Sequence, residues 1–567
     1  MDTLNVLVIG NGSMGKRRIR CLKTIGIKNI FVYDIREDRT TENNINDCIK
    51  KNNINTFIIS TPPQSHSYYI IKALENNINF FVEAGTLNTD NDKIQQLLYT
   101  TNIIHKSSDT LMYHPAIIKI KELLESNTLG SISNVIYHCG QYLPDWHTYE
   151  KVSDFYVSQK ESGGCRELIP FELTWITKLF GFPQKIFGIN KKTIDILGAS
   201  DIDDLYSIIL EYNTMTINII IDVVSREAVR KLEITGSLKT LNWDWNNKFI
   251  TCGSDKYEFD SDPSFTGYNK NITETMYVNE LGNFIISIID PVVKVSNTYW
   301  YDLSVLNILY SIEQSYLYGK TITFNNTAIL INVRLNSSRL PKKHLIKILD
   351  KPYIEYLIDR LKSTNIKIII NTTYLQCDKE LSYLKNFNVN IFHGDPDNIP
   401  LRQLQCSKHF GLSHVISVDG DDILTSISAI NDIYKNFIDN PKINYIITSG
   451  LPFGMNCFGY CINTIEPKIK NINKKIFDTG WNSIFNDITT NEIKYNFNTN
   501  IRMTLDYDID STFFETIIKL FNGNVPIDDQ LLINSIISNN IDKINIHVMN
   551  DYWINFNKIK KEQHNSS

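Results

Sequence analysis

The sequence predicts an α/β protein of three domains in series: a parallel-sheet domain, an α+β sheet domain and a second α/β domain. Three observations predict it. The length, 567 residues, exceeds what one hydrophobic core supports. The chain opens with an apolar strand, a glycine-rich turn and a helical pattern, VLVIGNGSMGKRRIRCLKTIG. After YSIEQSYLYGKTITFNN, strand and helix patterns start to alternate again. The expected domains are residues 1–125, 126–325 and 326–560.

Composition narrows the class. Hydrophobic residues make up 42% and charged residues 21%, as in soluble globular proteins. A net charge of -5 argues against nucleic acid as a bulk partner but leaves room for a local basic pocket. The nine cysteines show no pairing rhythm, and Cys457 and Cys461 have no second pair at zinc spacing, so a reduced, cytoplasmic chain is expected. The first strand begins at Leu4, so no signal peptide is expected, and no apolar run is long enough to span a membrane. Asn and Ile are dense in stretches such as KNNINT and ENNINF, yet apolar periodicity persists inside them.

Leu4–Ile9 reads as a buried parallel strand. Gly10, Gly12 and Gly15 follow as G-x-G-x-x-G, with Ser13 and Met14 inside the loop. Such a turn needs glycines because it is tight, its backbone must approach a pyrophosphate, and its helix must pack close to the sheet. The helix start adds N–H groups and a positive dipole end. A second strand, Asn29–Tyr33, ends at Asp34; an acid there suits a ribose diol and repels a 2′-phosphate. Together these elements form a Rossmann dinucleotide motif that favours NAD(H) over NADP(H), with Arg36 and Arg39 nearby tempering the preference.

The next stretches are TFIISTPPQSHSYYIIKALENNINFFVEAG and HPAIIKIKELLESNTLGSISNV. Their order resembles the N-terminal half of the Gfo/Idh/MocA oxidoreductases, and the likeness covers roughly residues 1–325. It implies that Thr61, Pro62, His66 and Glu83 belong to the cofactor site. It also implies that Gly130-Ser131-Ile132 enters a mixed sheet carrying the sugar site, with SREAVRKLEITGSLKTLNWDW as its late strands. The chain departs from the family at two places. Glu83-Ala84-Gly85 lacks the Lys of the family's Glu-Lys-Pro, and GGCRELIPFELTWITKLFG has Phe171 near the catalytic His and Thr174 near the Asp. Glu167 and Glu172 remain as ionisable groups, and a Glu serves as base when burial raises its pKa, so Glu172 is the expected catalytic acid–base group. His138 and His147, in YHCGQYLPDWHTYE, are further candidates for a sugar pocket.

The last third alternates again, through IKIIINTT, VNIFHGD, HVISVDGDD and INYIITS, after a first strand Ala328–Val333. The short connection before it, poor in Gly and Ser, predicts docked halves rather than a tether. Three constellations carry chemistry. Arg334, Ser337, Ser338, Arg339 and Lys343 follow the first strand, where cations and hydroxyls neutralise a triphosphate. Asp419-Gly420-Asp421-Asp422 ends a later strand and offers hard oxygens for Mg²⁺. RMTLDYDID brings Asp506, Asp508 and Asp510, of which Asp510 reads as a helix cap.

This order resembles the CMP-sugar synthetases of the acylneuraminate/KDO cytidylyltransferase family, in their spore-coat-polysaccharide branch, over roughly residues 327–545. Arg334, Ser337, Arg339, Leu340, Pro341 and Lys343 match the opening A-R-x-G-S-x-R-L-P-x-K, with Asn336 where Gly is usual. The resemblance implies an active site of Arg334, Arg339, Lys343 and Asp421, with Arg402 in a middle segment and Asp421 and Asp506 as the Mg²⁺ ligands. CTP and a sugar substrate follow from it; self-association common to both families implies a homo-oligomer, and charge and hydropathy predict no nucleic-acid or membrane partner. Phe458 replaces an expected acid, and DTGWNSIF replaces an Arg-Glu-His, which leaves the sugar open. Another nucleotide in place of CTP, or a first half that binds without turnover, are the alternatives. The tail KIKKEQHNSS is polar and expected to fray.

Overall fold

The structure is a computed structural model that describes residues 4–565 apart from 43, 102, 149, 260–273, 291, 338, 471–476 and 498; at 99, 100, 470, 564 and 565 it describes the backbone alone. The chain divides into two compact units, residues 1–324 and 325–567. The first unit holds two sheets, the second one large sheet and a two-stranded ribbon.

In the first unit, five parallel strands run in the order Asn29–Tyr33, Asn5–Ile9, Thr56–Ile59, Asn79–Val82, His105–Ser107. Val6, Val8, Phe57, Ile58, Phe80 and Phe81 are buried, as a parallel sheet covered on both faces requires. The chain leaves Asn5–Ile9 to one side and later returns to the other. Gly10 therefore lies at the switch point, where α/β sheets bind ligands. Helix Ser13–Ile25 packs through Cys21 and Leu22 against Leu281, Phe284 and Ile285 of helix Glu274–Ile289.

The second sheet has nine strands. Its middle strand, Ile132–Gly140, runs parallel to Thr216–Asp222 and antiparallel to Val229–Gly236. Tyr137, Ile208, Ile219 and Leu232 are buried on one face, which helices Cys165–Phe180 and Tyr299–Tyr318 cover. On the other face Ile136, Ile209 and Ile220 stay 49%, 41% and 42% exposed, an apolar stripe open to solvent.

The second unit orders its seven strands Asn390–Gly394, Lys367–Thr373, Thr327–Asn332, His414–Asp419, Phe458–Cys461, Tyr445–Ser449, Thr490–Lys494. Only Phe458–Cys461 among them pairs antiparallel. Thr327–Asn332 is again the strand from which the chain departs to one side and returns on the other, so the ends of Thr327–Asn332 and His414–Asp419 form a second switch point. The N–H of Gly420 donates to the Asn332 carbonyl across it. The tail, expected to fray, instead continues helix Met549–Asn565, because Gln563 Oε1 accepts from the N–H groups of Asp478 and Thr479.

Candidate active sites

The loop after Thr327–Asn332 in the second unit is pinned by the Leu335 N–H, which donates to Asp378 Oδ1 at 2.7 Å. From it the cations reach acids of distant segments. Arg339 Nη2 lies 2.7 Å from Asp506 Oδ1. Lys343 Nζ sits between two carboxylates, 2.5 Å from Asp421 Oδ2 and 3.2 Å from Asp506 Oδ1. Arg334 Nη2 is 2.5 Å from Asp478 Oδ2. Arg402 is buried with its Nε unpartnered, and burial lowers its pKa, opposed by Asp478. Ser337 Oγ accepts from the Leu340 N–H at 3.4 Å, a turn brace; Ser338 lies outside the described residues.

The three aspartates of VDGDD divide by electrostatics. Burial opposes the charge of Asp421, but Lys343 and His344 outweigh it and hold the carboxyl well below its usual range. Burial and the neighbouring Asp421 push Asp419 up to about 6, and burial with Asp419 and Asp421 pushes Asp422 up. Asp421 is thus the firmly ionised member of VDGDD. In the late segment, Asp508 is exposed. Asp510 accepts from the N–H groups of Asp506 and Tyr507, which makes it the cap expected of it. Asp506 alone turns into the site.

Two residues here escaped the sequence reading. Arg502 is fully buried and pairs with both Asp506, at 3.1 Å, and Asp510, at 3.0 Å. His344 Nε2 lies 2.8 Å from Asp421 Oδ1. Adjacency to Lys343 could have flagged His344; Arg502 lies in a segment that is not helical, so its spacing to Asp506 carries no such signal. The two departures from the family's sugar side meet each other: the Phe458 ring lies 5.4 Å from Trp481 and 6.3 Å from Phe485.

Among the described residues no group of three or more His, Cys, Asp or Glu could hold a metal ion. Two carboxylates converging on one ammonium fit a different kind of site. Mg²⁺ is usually held by one or two carboxylates, with substrate phosphates and water completing the shell. Asp421 and Asp506 fit that role, and Lys343 marks where a cation is favoured.

The glycine loop of the first unit separates two steric roles. A Cβ on Gly10 (φ +90) would lie 2.5 Å from the Ser60 carbonyl oxygen, and one on Gly15 would lie 1.8 Å from that of Gly10. A Cβ on Gly12 would meet nothing within 4 Å. Gly10 and Gly15 let the backbone pack, whereas Gly12 keeps space open. Gly12 is also the N-cap of helix Ser13–Ile25 and supplies no side-chain acceptor, so the first-turn N–H groups of Ser13, Met14 and Gly15 face that space without one. Asn11 Oδ1 and Thr61 Oγ1 beside the loop are buried without partners. Asp34 accepts from the N–H groups of Asn11, at 2.7 Å, and Arg36, at 2.9 Å, and keeps lone pairs for ribose hydroxyls. This cradle fits a dinucleotide.

The other expected residues fall differently. Pro62 enters the turn Pro63–Ser65. His66 Nε2 lies 2.8 Å from the Thr61 carbonyl oxygen, and burial lowers its pKa, so it braces that turn as a neutral ring. Glu83 clasps the fully buried Arg18 through both oxygens, at 2.7 and 2.8 Å. His138 pairs with Asp222 at 2.8 Å, and His147 stacks on Phe155 at 4.3 Å.

Glu172 needs correcting. It is fully buried, and both of its oxygens are engaged: Tyr137 Oη donates at 2.6 Å, Trp175 Nε1 at 2.8 Å and Arg230 Nη2 at 2.5 Å. Tyr137 and Arg230 belong to the second sheet, so the carboxylate ties helix Cys165–Phe180 to that sheet and has no oxygen left for a substrate. Glu167 behaves otherwise. Its Oε1 accepts from the Tyr156 hydroxyl, and its Oε2 is buried with no partner.

Comparison with known proteins follows this division. The first unit has the fold of NAD-dependent dehydrogenases. An oxidoreductase from Agrobacterium radiobacter, solved with NAD⁺, L-tartaric acid and magnesium, matches 57% of this chain and 98% of its own at a TM-score of 0.50 and 14% identity. A myo-inositol 2-dehydrogenase from Lactobacillus plantarum covers 57% and 99%, at 0.48 and 19%. The second unit is a nucleotidyltransferase domain, and residues 328–520 match the cytidylyltransferase family. An uncharacterized protein of Methanocaldococcus jannaschii is 29% identical over 149 residues, 26% of this chain; the chain spans 61% of that relative's length. No helix among the described residues is long and apolar enough to cross a membrane.

Proposed function

We propose that the protein is a bifunctional, cytoplasmic enzyme of nucleotide-sugar synthesis. In the second unit a sugar hydroxyl, the anomeric one, attacks the α-phosphorus of CTP. A P–O bond to the sugar forms, the bond to the β,γ-phosphates breaks, and pyrophosphate leaves. Arg334, Arg339 and Lys343 neutralise the triphosphate and the charge growing on the leaving group. Asp421 and Asp506 would hold Mg²⁺, which when bound supplies phosphate neutralisation and alignment. In the first unit the Gly12 loop, Thr61 and Asp34 would hold NAD(H), which when bound supplies the hydride chemistry for oxidation or reduction of a sugar carbon. The two steps serve one sugar, and the exposed stripe of Ile136, Ile209 and Ile220 supports self-association.

The observation that carries the transferase reading is the meeting of Arg339 and Lys343 with Asp421 and Asp506, from three separate segments, at a switch point of the sheet. Pyrophosphate release from CTP, UTP, GTP, ATP and dTTP with sugar acceptors tests it. CTP is expected to be preferred and Asp421→Asn to abolish release; equal use of all five, or release by the variant, contradicts it. A second reading keeps the first unit as a silent NAD- or sugar-binding module. It is favoured by Ala84 in place of the family lysine, Phe171 near the histidine position, and Glu172 locked to Arg230. Steady NADH formation from NAD⁺ and sugars by the full chain excludes it.

A further inference from the structure

The dehydrogenase reading leaves the first unit without the acid–base group that sugar oxidation needs, and this inference rests on that reading. We infer that Glu167, with Tyr156 hydrogen-bonded to it, is the proton-accepting group of that unit. Three hydrogen bonds and one electrostatic influence place the pair on the cofactor rim. Gln64 Nε2, in the turn after Thr56–Ile59, donates to Gln159 Oε1 at 2.7 Å and to Ser162 Oγ. Arg166 Nη1 donates to the Thr86 carbonyl at 2.7 Å, in the segment after Asn79–Val82. The Tyr156 hydroxyl feels the charge of Glu83. Residues 156–167 therefore abut the carboxyl ends of two parallel strands, the edge along which a dinucleotide held at Gly12 would extend.

The surroundings of Glu167 suit proton transfer. One oxygen is held by Tyr156 and the other is buried and unpaired, a cost that a structural carboxylate such as Glu172 avoids. Burial pushes Glu167 up to about 7, with the Tyr156 hydrogen bond opposing it. The charged groups near it are otherwise matched: Arg166 pairs with Glu313 at 2.6 Å, and Glu83 with Arg18. Gln64, Gln159 and Ser162 do not titrate. In oxidation, the sugar O–H bond breaks and a Glu167 O–H bond forms, directly or through the Tyr156 hydroxyl. The C–H bond releases its hydride to an oxidised nicotinamide, the carbonyl forms, and the proton passes to solvent.

Infrared difference spectra of the full chain, pH-titrated with and without NADH, test this alongside NAD⁺ reduction with D-glucose, N-acetylglucosamine and myo-inositol. The expected result is a protonated-carboxyl band that disappears near pH 7, shifts its midpoint when NADH binds, and is missing in Glu167→Gln. Asp302 also lies at about 7 and Asp419 at about 6, so the assignment rests on the band that variant removes. NAD⁺ reduction is expected to rise with pH through the same midpoint. It should fall at least ~100-fold in Glu167→Gln, which should still bind NADH, and Tyr156→Phe should displace the profile. A Glu167 band in the ordinary carboxylate range, or one unmoved by NADH, overturns the inference. Turnover retained in Glu167→Gln sinks Glu167 alone. Native chain that binds NADH but turns over none of the three probes sinks the dehydrogenase reading and the catalytic role with it.

Discussion

Replacing Lys343 by Met removes an ammonium but keeps most of the buried stem. In the native chain that ammonium lies 2.5 Å from Asp421 and 3.2 Å from Asp506, and burial opposes its charge less than the two carboxylates favour it. Breaking one buried pair costs about 3–5 kcal/mol. Arg339 remains on Asp506 and His344 on Asp421, which places the loss at the lower end, about 3 kcal/mol. For a unit of this size that is a fall of roughly 6–12 °C in the unfolding temperature of the second unit. The two carboxylates left facing each other are the donor set argued above for Mg²⁺. Mg²⁺ alone, at about 100 times its dissociation constant, should therefore return about 2.7 kcal/mol to the variant. It should do less for the native chain, where the ion must displace the ammonium. Calorimetric scans of the full chain with and without Mg²⁺ measure both effects. An unchanged second transition refutes the electrostatic role of Lys343, and a variant indifferent to Mg²⁺ refutes the metal assignment.

Three further predictions concern the first unit. Gly12→Ala should fold normally, because a Cβ there meets nothing within 4 Å, yet lose NADH affinity at least ~10-fold; Gly15→Ala, with a Cβ 1.8 Å from a carbonyl oxygen, should lower the unfolding temperature as well. Glu172→Gln should destabilise by about 3–5 kcal/mol, leaving Arg230 buried without its anion, while NADH titration shows unchanged affinity. Glu167 has a folded pKa of about 7 against an ordinary 4.5, so the folded chain holds a proton that the unfolded chain releases in between. Its contribution is best below the ordinary value and is lost as pH rises through 7. Glu167→Gln should thus stabilise by up to about 3 kcal/mol at pH 8 and by nothing near pH 4, read from denaturant unfolding at both.

Sequence legibility followed the range of the interactions. The glycine loop was readable because its constraint is local: Gly10 and Gly15 answer steric demands of the same turn, and Gly12 between them keeps its space open. The alternation in the last third was readable because both-face burial writes itself as runs such as Ile368–Ile370. Asp421 and Asp506 were readable through resemblance. The pairing of Arg502 with Asp510 was not, since no local pattern marks which arginine will be buried. Glu167 and Glu172 show the limit most clearly. They lie five residues apart on one helix, roughly 140° around its axis. The sequence places both near the same turn, and only the packed structure shows that one is tied to the second sheet through Tyr137 and Arg230 and the other to Tyr156.

The most direct test of the two-site account is a crystal structure of the full chain grown with Mg²⁺, CTP and NADH. The account predicts a triphosphate against Arg334, Arg339 and Lys343, an ion on Asp421 and Asp506, and a dinucleotide pyrophosphate over Gly12. A triphosphate bound away from those cations, or a Gly12 loop left empty at saturating NADH, contradicts it.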